Sequence, residues 1–295
     1  MRARAPGKLV LSGAYAVLEG APALVTAVDR FVVADASRAP ERVTPEVREA
    51  LGDERAPWFD ASALREGDEK LGLGSSAAIL VASLAARELA RGARSDDELA
   101  DAVLRPALAA HARAQGGGSG VDVAAAAYGG TLAYRVTPHE PTVTRVSLPA
   151  AVVVETWWSG RAAATRDFVG RVRALREREP ADYATLIEAQ SAAALRAERA
   201  VLKGDAAGFV AALHAQRAAL AALGRVAGAP IVTPEAERLA SRAAPAAVLP
   251  AGAGGGDVLL HVGFEPSPPE FRELAATLGH RLLPLALGAR GVHAV

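Results

Sequence analysis

Apolar and polar positions along the chain change period three times. Short β-branched runs come first, at Lys8–Ser12 and at Leu24–Ala34 (L-V-T-A-V-D-R-F-V-V-A), and each predicts a strand. Gly13–Gly20 between them reads as a turn-rich connection. Residues 37–69 are polar, contain Pro40, Pro45 and Pro57 and show little periodicity, so short pieces and a loop are expected there. Ile79–Leu89 is apolar on every face, which predicts a buried helix. Ser95-Asp-Asp-Glu98 is a capping box that opens a second helix, expected to kink near Pro106 and to end about Gln115. A short helix of small residues follows Gly120, then strands at Thr131–Val136, Val143–Ser147 and Ala151–Thr156.

From about residue 160 alanine-rich amphipathic helices take over, at 162–178, 181–203 and 205–223, with another after Thr233-Pro234. A glycine-rich turn then enters a strand, followed by a helix at 268–279 and closing strands near 281–287 and 290–294. Strands with helices, then helices, then strands with a helix give an α+β protein of two lobes with a cleft between them. The expected division is 1–155 and 156–295.

Composition narrows the partners. Lysine plus arginine and aspartate plus glutamate each number 33, so the net charge is zero and nothing favours a nucleic-acid partner. Cysteine is absent, which removes disulfides, thiolate metal sites and a cysteine nucleophile. The N-terminus has no leader-like pattern and no run approaches the ~20 apolar residues of a membrane span, so a soluble, cytoplasmic protein without a membrane partner is expected. Lys8, Lys70 and Lys203 are the only lysines in a chain that otherwise uses arginine. A lysine here hints at chemistry that wants a compact ammonium, although Lys203 reads as a solvated helix residue.

Three glycine-rich turns carry the candidate chemistry. In Lys70–Ala78 (K-L-G-L-G-S-S-A-A), Gly72 and Gly74 allow a tight turn and close approach of a ligand, and Ser75 and Ser76 open a helix whose first N–H groups lack internal partners. Those donors and the positive end of the helix dipole suit a polyphosphate, and the two hydroxyls can reach a phosphate oxygen or a metal ion. A dinucleotide-binding reading needs an apolar strand just before the glycines, and Phe59–Lys70 is polar. A Walker-type G-x-x-x-x-G-K-[ST] string is absent. The second turn, Q-G-G-G-S-G-V-D (115–122), places Asp122 in the first turn of a helix, and the third, G-A-G-G-G-D (252–257), precedes a strand.

Taken in order, P-G-K-L…G-A-Y-A-V-L, G-L-G-S-S-A-A and G-A-G-G-G-D resemble the three motifs of the GHMP kinases, the superfamily of galactokinase, homoserine kinase, mevalonate kinase and phosphomevalonate kinase. The resemblance spans the whole chain and is greatest to the phosphomevalonate kinases. It is carried by E-G-A-P-A-L-V-T-A-V-D-R-F-V (19–32), by A-H-A-R-A-Q-G-G-G-S-G-V-D-V-A-A-A-A-Y-G-G (110–130) and by W-S-G-R-A-A-A-T-R-D-F-V (158–169). In mevalonate kinases a magnesium-binding glutamate stands where His111 is found.

The resemblance implies the two-lobed GHMP kinase fold, with a ribosomal-protein-S5-like α/β N-terminal lobe and a ferredoxin-like α+β C-terminal lobe. It implies ATP and Mg²⁺ as cofactors and phosphomevalonate, or a related small molecule, as the acceptor, in a monomer or homodimer. Gly72, Leu73, Gly74, Ser75, Ser76 and Ala77 would hold the ATP phosphates, and Ser76 would help to hold magnesium. Asp122 and Lys8 would be catalytic and lie near one another. Ser119, Gly120, Arg161, Arg166, Gly252, Ala253 and Gly254 would bind the acceptor, with Lys70 a further candidate for gripping it. Two positions depart from the pattern: Ala14 stands where relatives carry Gly-Glu or Gly-Gly before the aromatic residue, and Leu249-Pro250-Ala251 replaces Lys-x-Ser.

Overall fold

A computed structural model describes residues 1–92, 95–162 and 165–295, and the side chains of Thr165 and Arg166 lie outside the described set. The first half holds β1 (Arg2–Ser12), β2 (Ala23–Asp35), α1 (Pro45–Leu51), β3 (Trp58–Asp60), β4 (Arg65–Glu66) and β5 (Glu69–Lys70). Next come α2 (Ser75–Arg91), α3 (Asp96–Gln115), α4 (Val121–Tyr128), β6 (Thr131–Arg135) and β7 (Thr142–Val146). The second half holds β8 (Val153–Trp158), α5 (Thr165–Arg178), α6 (Pro180–Lys203), α7 (Ala206–Ala227), α8 (Pro234–Ala240), β9 (Ala247–Pro250), β10 (Val258–Gly263), α9 (Pro269–Thr277), β11 (Arg281–Leu282) and β12 (His293–Ala294). One sheet has the order β12-β1-β2-β6-β7 with β3 added beside β2, and the other has the order β11-β8-β10-β9. The fold is α+β, as the sequence pattern predicts.

Most predicted elements appear at their expected places. The polar stretch 37–69 nevertheless contains a helix, α1, which Thr44 caps by accepting from the Val47 N–H while Pro45 supplies the first helical residue. At seven residues it is too short to show a period. The capping box forms, with Ser95 and Glu98 bonding reciprocally, and α3 runs as one helix with Pro106 inside it. β9 (Ala247–Pro250) is an unpredicted strand, and it pairs antiparallel with β10 through Leu249 opposite Leu260.

By internal contacts the chain divides into two units. Unit 1 takes Met1–Leu9, Val25–Leu132 and Ala286–Val295; unit 2 takes Val10–Leu24 and Ala133–Leu285. The division at residue 155 read from the sequence falls inside unit 2.

In unit 1, α2 is buried along nearly its whole length from Ala77 to Ala86, as an all-apolar helix requires. Leu99, Val103, Ala107 and Ala110 give α3 one buried face, and Val123–Ala127 bury α4. The C-terminal β12 pairs antiparallel with β1, Ala3 opposite Ala294 and Arg4 opposite His293. Arg4 Nε donates to His293 Nε2 at 2.5 Å, and the other ring nitrogen lies 2.6 Å from the Gly291 carbonyl. A guanidinium can only donate, so Nε2 accepts, Nδ1 carries the proton, and His293 is neutral in this arrangement.

In unit 2, Phe168, Val172, Leu175, Ile187, Leu220, Leu223 and Ile231 form one buried cluster. Trp157, Leu239, Val248, Leu259 and Phe271 form another, with Trp157 and Phe271 edge-to-face at 5.4 Å. By length and composition α7 is apolar enough to cross a membrane, at a mean hydropathy of 1.3. Its residues Phe209, Leu213, Leu220 and Leu223 are buried in the protein, so here it is a core helix. Its one buried amide, Gln216, accepts from the Ser12 hydroxyl at 3.0 Å and from the Gly13 N–H at 3.3 Å, and donates to Gln190.

Burial pushes the imidazoles of His261, His280 and His293 below the ordinary histidine value. The unfolded chain takes up these protons near pH 6.5 and the folded chain only at lower pH. Stability is therefore expected to be complete above about pH 6.5 and to fall as the pH drops below it. Melting temperatures taken between pH 7.5 and 5 check this, and a flat profile contradicts it.

Candidate active site

In unit 1 the first two motifs interlock. The Lys8 N–H donates to the Leu73 carbonyl at 2.9 Å, and Lys8 Nζ reaches the Gly72 carbonyl at 3.4 Å. Leu71 and Leu73 are fully buried and anchor the turn, leaving Gly72 and Gly74 between them free to shape it. Gly74 has φ +74°, a left-handed conformation that favours glycine, and the Lys8 stem passes close against it, with Lys8 Cε 2.8 Å from where a Cβ would stand. Gly74 is also the N-cap of α2, and no side chain caps that helix. The N–H groups of its first turn, together with the helix dipole and the Lys8 ammonium, make a site for an anion.

Asp122 stands in the first turn of α4, behind Gly120 in the left-handed conformation. Its Oδ1 accepts from the Val123 N–H at 3.0 Å, and its Oδ2 lies 3.5 Å from Nε2 of the buried His111. That nitrogen has no hydrogen-bond partner among the described residues. The side chain facing Asp122 Oδ2 is thus that of His111 on α3, whereas Lys8 Nζ reaches the Gly72 carbonyl. Ser119 Oγ accepts from the Val121 N–H at 3.4 Å, at the same helix start. Lys70 is exposed in the two-residue strand β5.

In unit 2 the third glycine turn joins β9 to β10. Gly254 has φ +79°, and a Cβ there would stand 2.1 Å from the Ile231 carbonyl oxygen, so the turn packs against that backbone only as glycine. Asp257 closes it with φ +52°, its N–H donating to the Arg161 carbonyl and its own carbonyl accepting from Ser159. The Arg161 guanidinium is 3.3 Å from the Glu235 carboxylate. Ser159, Arg161, Thr233, Gly255, Gly256 and the buried His280 line a small crevice. The Arg166 side chain lies outside the described residues.

Tyr15, from the first motif, is held in unit 2 at a φ of +65° that a tyrosine rarely adopts. It is buried, and its hydroxyl donates to the Ala253 carbonyl at 2.7 Å, tying the first motif to the third. Burial pushes the phenol above its ordinary value, so it remains a donor. Tyr15→Phe leaves that carbonyl unpaired and is expected to lower stability by about 1 kcal/mol in urea unfolding. No change would show that the bond is not made in solution.

Comparison with known proteins follows this geometry. Residues 43–130, which contain the α2 loop, His111 and Asp122, match the family described as GHMP kinases N terminal domain. This segment is a GHMP kinase N-terminal domain. The chain is 27% identical to a phosphomevalonate kinase of Streptomyces sp. (strain CL190), over 98% of this chain and 97% of that protein. It is 28% identical to a mevalonate kinase of Archaeoglobus fulgidus, over 67% of this chain and 72% of that protein. Its fold is similar to that of Streptococcus pneumoniae phosphomevalonate kinase in complex with phosphomevalonate and AMPPNP, with a TM-score of 0.76, 19% identity and coverage of 97% of this chain and 99% of that one.

Within this segment the sequence motifs do not single out Gln115 or Glu46. Gln115 Nε2 lies 3.0 Å from Glu46 Oε1 and 3.4 Å from Ser76 Oγ. The available signal was spacing: His111 and Gln115 are four apart on α3 and share a helix face.

Proposed function

We propose that this protein is an ATP- and Mg²⁺-dependent kinase that transfers the γ-phosphoryl group to phosphomevalonate, giving diphosphomevalonate. The observation that carries this reading is the interlock of Lys8 with the uncapped start of α2, which lies inside the segment matched by the GHMP kinase model. Phosphoryl transfer asks for positioning and charge neutralisation more than covalent help. The N–H groups of Ser75, Ser76 and Ala77 and the turn Gly72–Gly74 would hold the nucleotide phosphates, with the Lys8 ammonium on the transferring group. Asp122 would orient the attacking oxygen, and His111 would hold the Asp122 carboxylate in place.

Magnesium takes few protein ligands beside substrate phosphates, and the Ser76 hydroxyl in the uncapped first turn of α2 is an oxygen donor of the kind it accepts. Ser76 Oγ would be its protein ligand, and when bound the ion neutralises charge on the phosphates. The acceptor-binding roles of Ser119 and Gly120, and of Arg161, Arg166 and Gly252–Gly254, belong to this proposal, as does a soluble cytoplasmic setting.

The similarity to the Archaeoglobus fulgidus mevalonate kinase supports a second reading, transfer to a hydroxyl of mevalonate. Coupled ADP release with Mg·ATP, run side by side on phosphomevalonate and mevalonate, separates the two. Turnover on phosphomevalonate alone is expected, and turnover on mevalonate alone overturns the substrate assignment.

A further inference from the structure

Glu46, in the first turn of α1, is only 4% exposed, although nothing in the chemistry above uses it. The positive end of the α1 dipole favours a negative charge there. Its hydrogen-bond partner is the Gln115 amide, 3.0 Å away, and the same Gln115 nitrogen lies 3.4 Å from Ser76 Oγ.

The chemistry of these three groups fixes their direction. A carboxylate only accepts, so Gln115 must turn its NH₂ rather than its carbonyl toward Glu46. This settles which way the amide is flipped. The second hydrogen on that nitrogen is then directed to Ser76 Oγ, which accepts. A hydroxyl that accepts from the amide keeps its own proton to donate elsewhere. Ser76 is in the first turn of the uncapped helix α2, so the proton is available to an anionic oxygen held there.

We propose that Glu46 and Gln115 are positioning residues that set the hydrogen-bond polarity of Ser76, so that its hydroxyl donates to a phosphate oxygen of the bound nucleotide. This rests on the reading that the start of α2 holds the nucleotide phosphates. Without the Glu46 charge the amide is released: a glutamine at 46 can donate to the Gln115 carbonyl, turn that carbonyl toward Ser76 and draw the serine proton away from the ligand.

The test is a double-mutant cycle on Mg·AMP-PNP affinity by calorimetry, with melting temperatures as the fold control. Wild type, Glu46→Gln, Ser76→Ala and the double variant are compared. Glu46→Gln is expected to weaken binding about tenfold, as for loss of one hydrogen bond to a charged group, and Ser76→Ala at least as much, because it also removes the oxygen proposed to reach magnesium. The double variant is expected to bind as weakly as Ser76→Ala alone, because the bond that Glu46 orients is already gone. A further loss of about tenfold in the double variant overturns the proposal, since Glu46 then acts independently of Ser76. If Glu46→Gln does not fold, Gln115→Leu takes its place in the cycle with the same two outcomes. Failure of the wild type to bind Mg·AMP-PNP overturns the phosphate-site reading itself, a distinct result.

Discussion

Replacing Lys8 by methionine is expected to lower turnover by about 10²–10³-fold, the range for removing one group that stabilises charge in the transition state. The lysine stem passes against Gly74, where a Cβ would meet Lys8 Cε at 2.8 Å, and methionine retains an unbranched stem that can follow the same path. The backbone bond from residue 8 to the Leu73 carbonyl is untouched by the change. What disappears is the ammonium, which lies 3.4 Å from the neutral Gly72 carbonyl and can turn to a phosphoryl oxygen. Lys8→Arg is not expected to rescue activity, because a planar fork does not fit the path of a compact point charge. Steady-state kinetics with melting curves check this. Near-normal turnover of a folded Lys8→Met protein contradicts it.

Asp122→Asn is expected to lower kcat by about 10²–10⁴-fold while leaving Mg·AMP-PNP affinity close to wild type. The substitution isolates charge from structure. Asp122 Oδ1 accepts from the Val123 N–H, and an asparagine oxygen can do the same, so the first turn of α4 keeps its bond. The second oxygen, 3.5 Å from His111, is replaced by an amide nitrogen, and the negative charge is lost. A kcat within a small factor of wild type would show that Asp122 serves the fold of α4 alone.

The parts of this fold legible in the sequence are those encoded locally. The α2 helix announces itself through an unbroken apolar run, and α3 through a capping box whose two bonds form as written. The glycine turns at 72–74 and 252–256 were equally plain, because positive φ and close backbone approach demand glycine. Elements set by distant partners were not legible. β9 forms because Leu249 meets Leu260 across the sheet. The short helix α1 hid among prolines in a polar stretch.

The same holds for the candidate site. Lys8, Ser76 and Asp122 were picked out by motif, but the groups that hold them were not. The expectation that Lys8 lies near Asp122 rests on resemblance; the contacts of the two are the Gly72 carbonyl, 3.4 Å from Lys8 Nζ, and His111 Nε2, 3.5 Å from Asp122 Oδ2. Glu46, Ser76 and Gln115 come together from three helices, so no local pattern joins them. Tyr15 looked like one aromatic of a motif, and only its backbone strain and its bond to Ala253 reveal what it holds.

Under the proposed function a phosphoryl group passes from Mg·ATP to an acceptor that already carries a phosphate. Phosphorus NMR of the protein with Mg·ATP and phosphomevalonate tests it most directly. The account predicts loss of the acceptor's monoester signal and growth of a coupled diphosphate pair as ADP accumulates. A monoester signal that persists unchanged, with ATP either intact or hydrolysed to free phosphate, would contradict it.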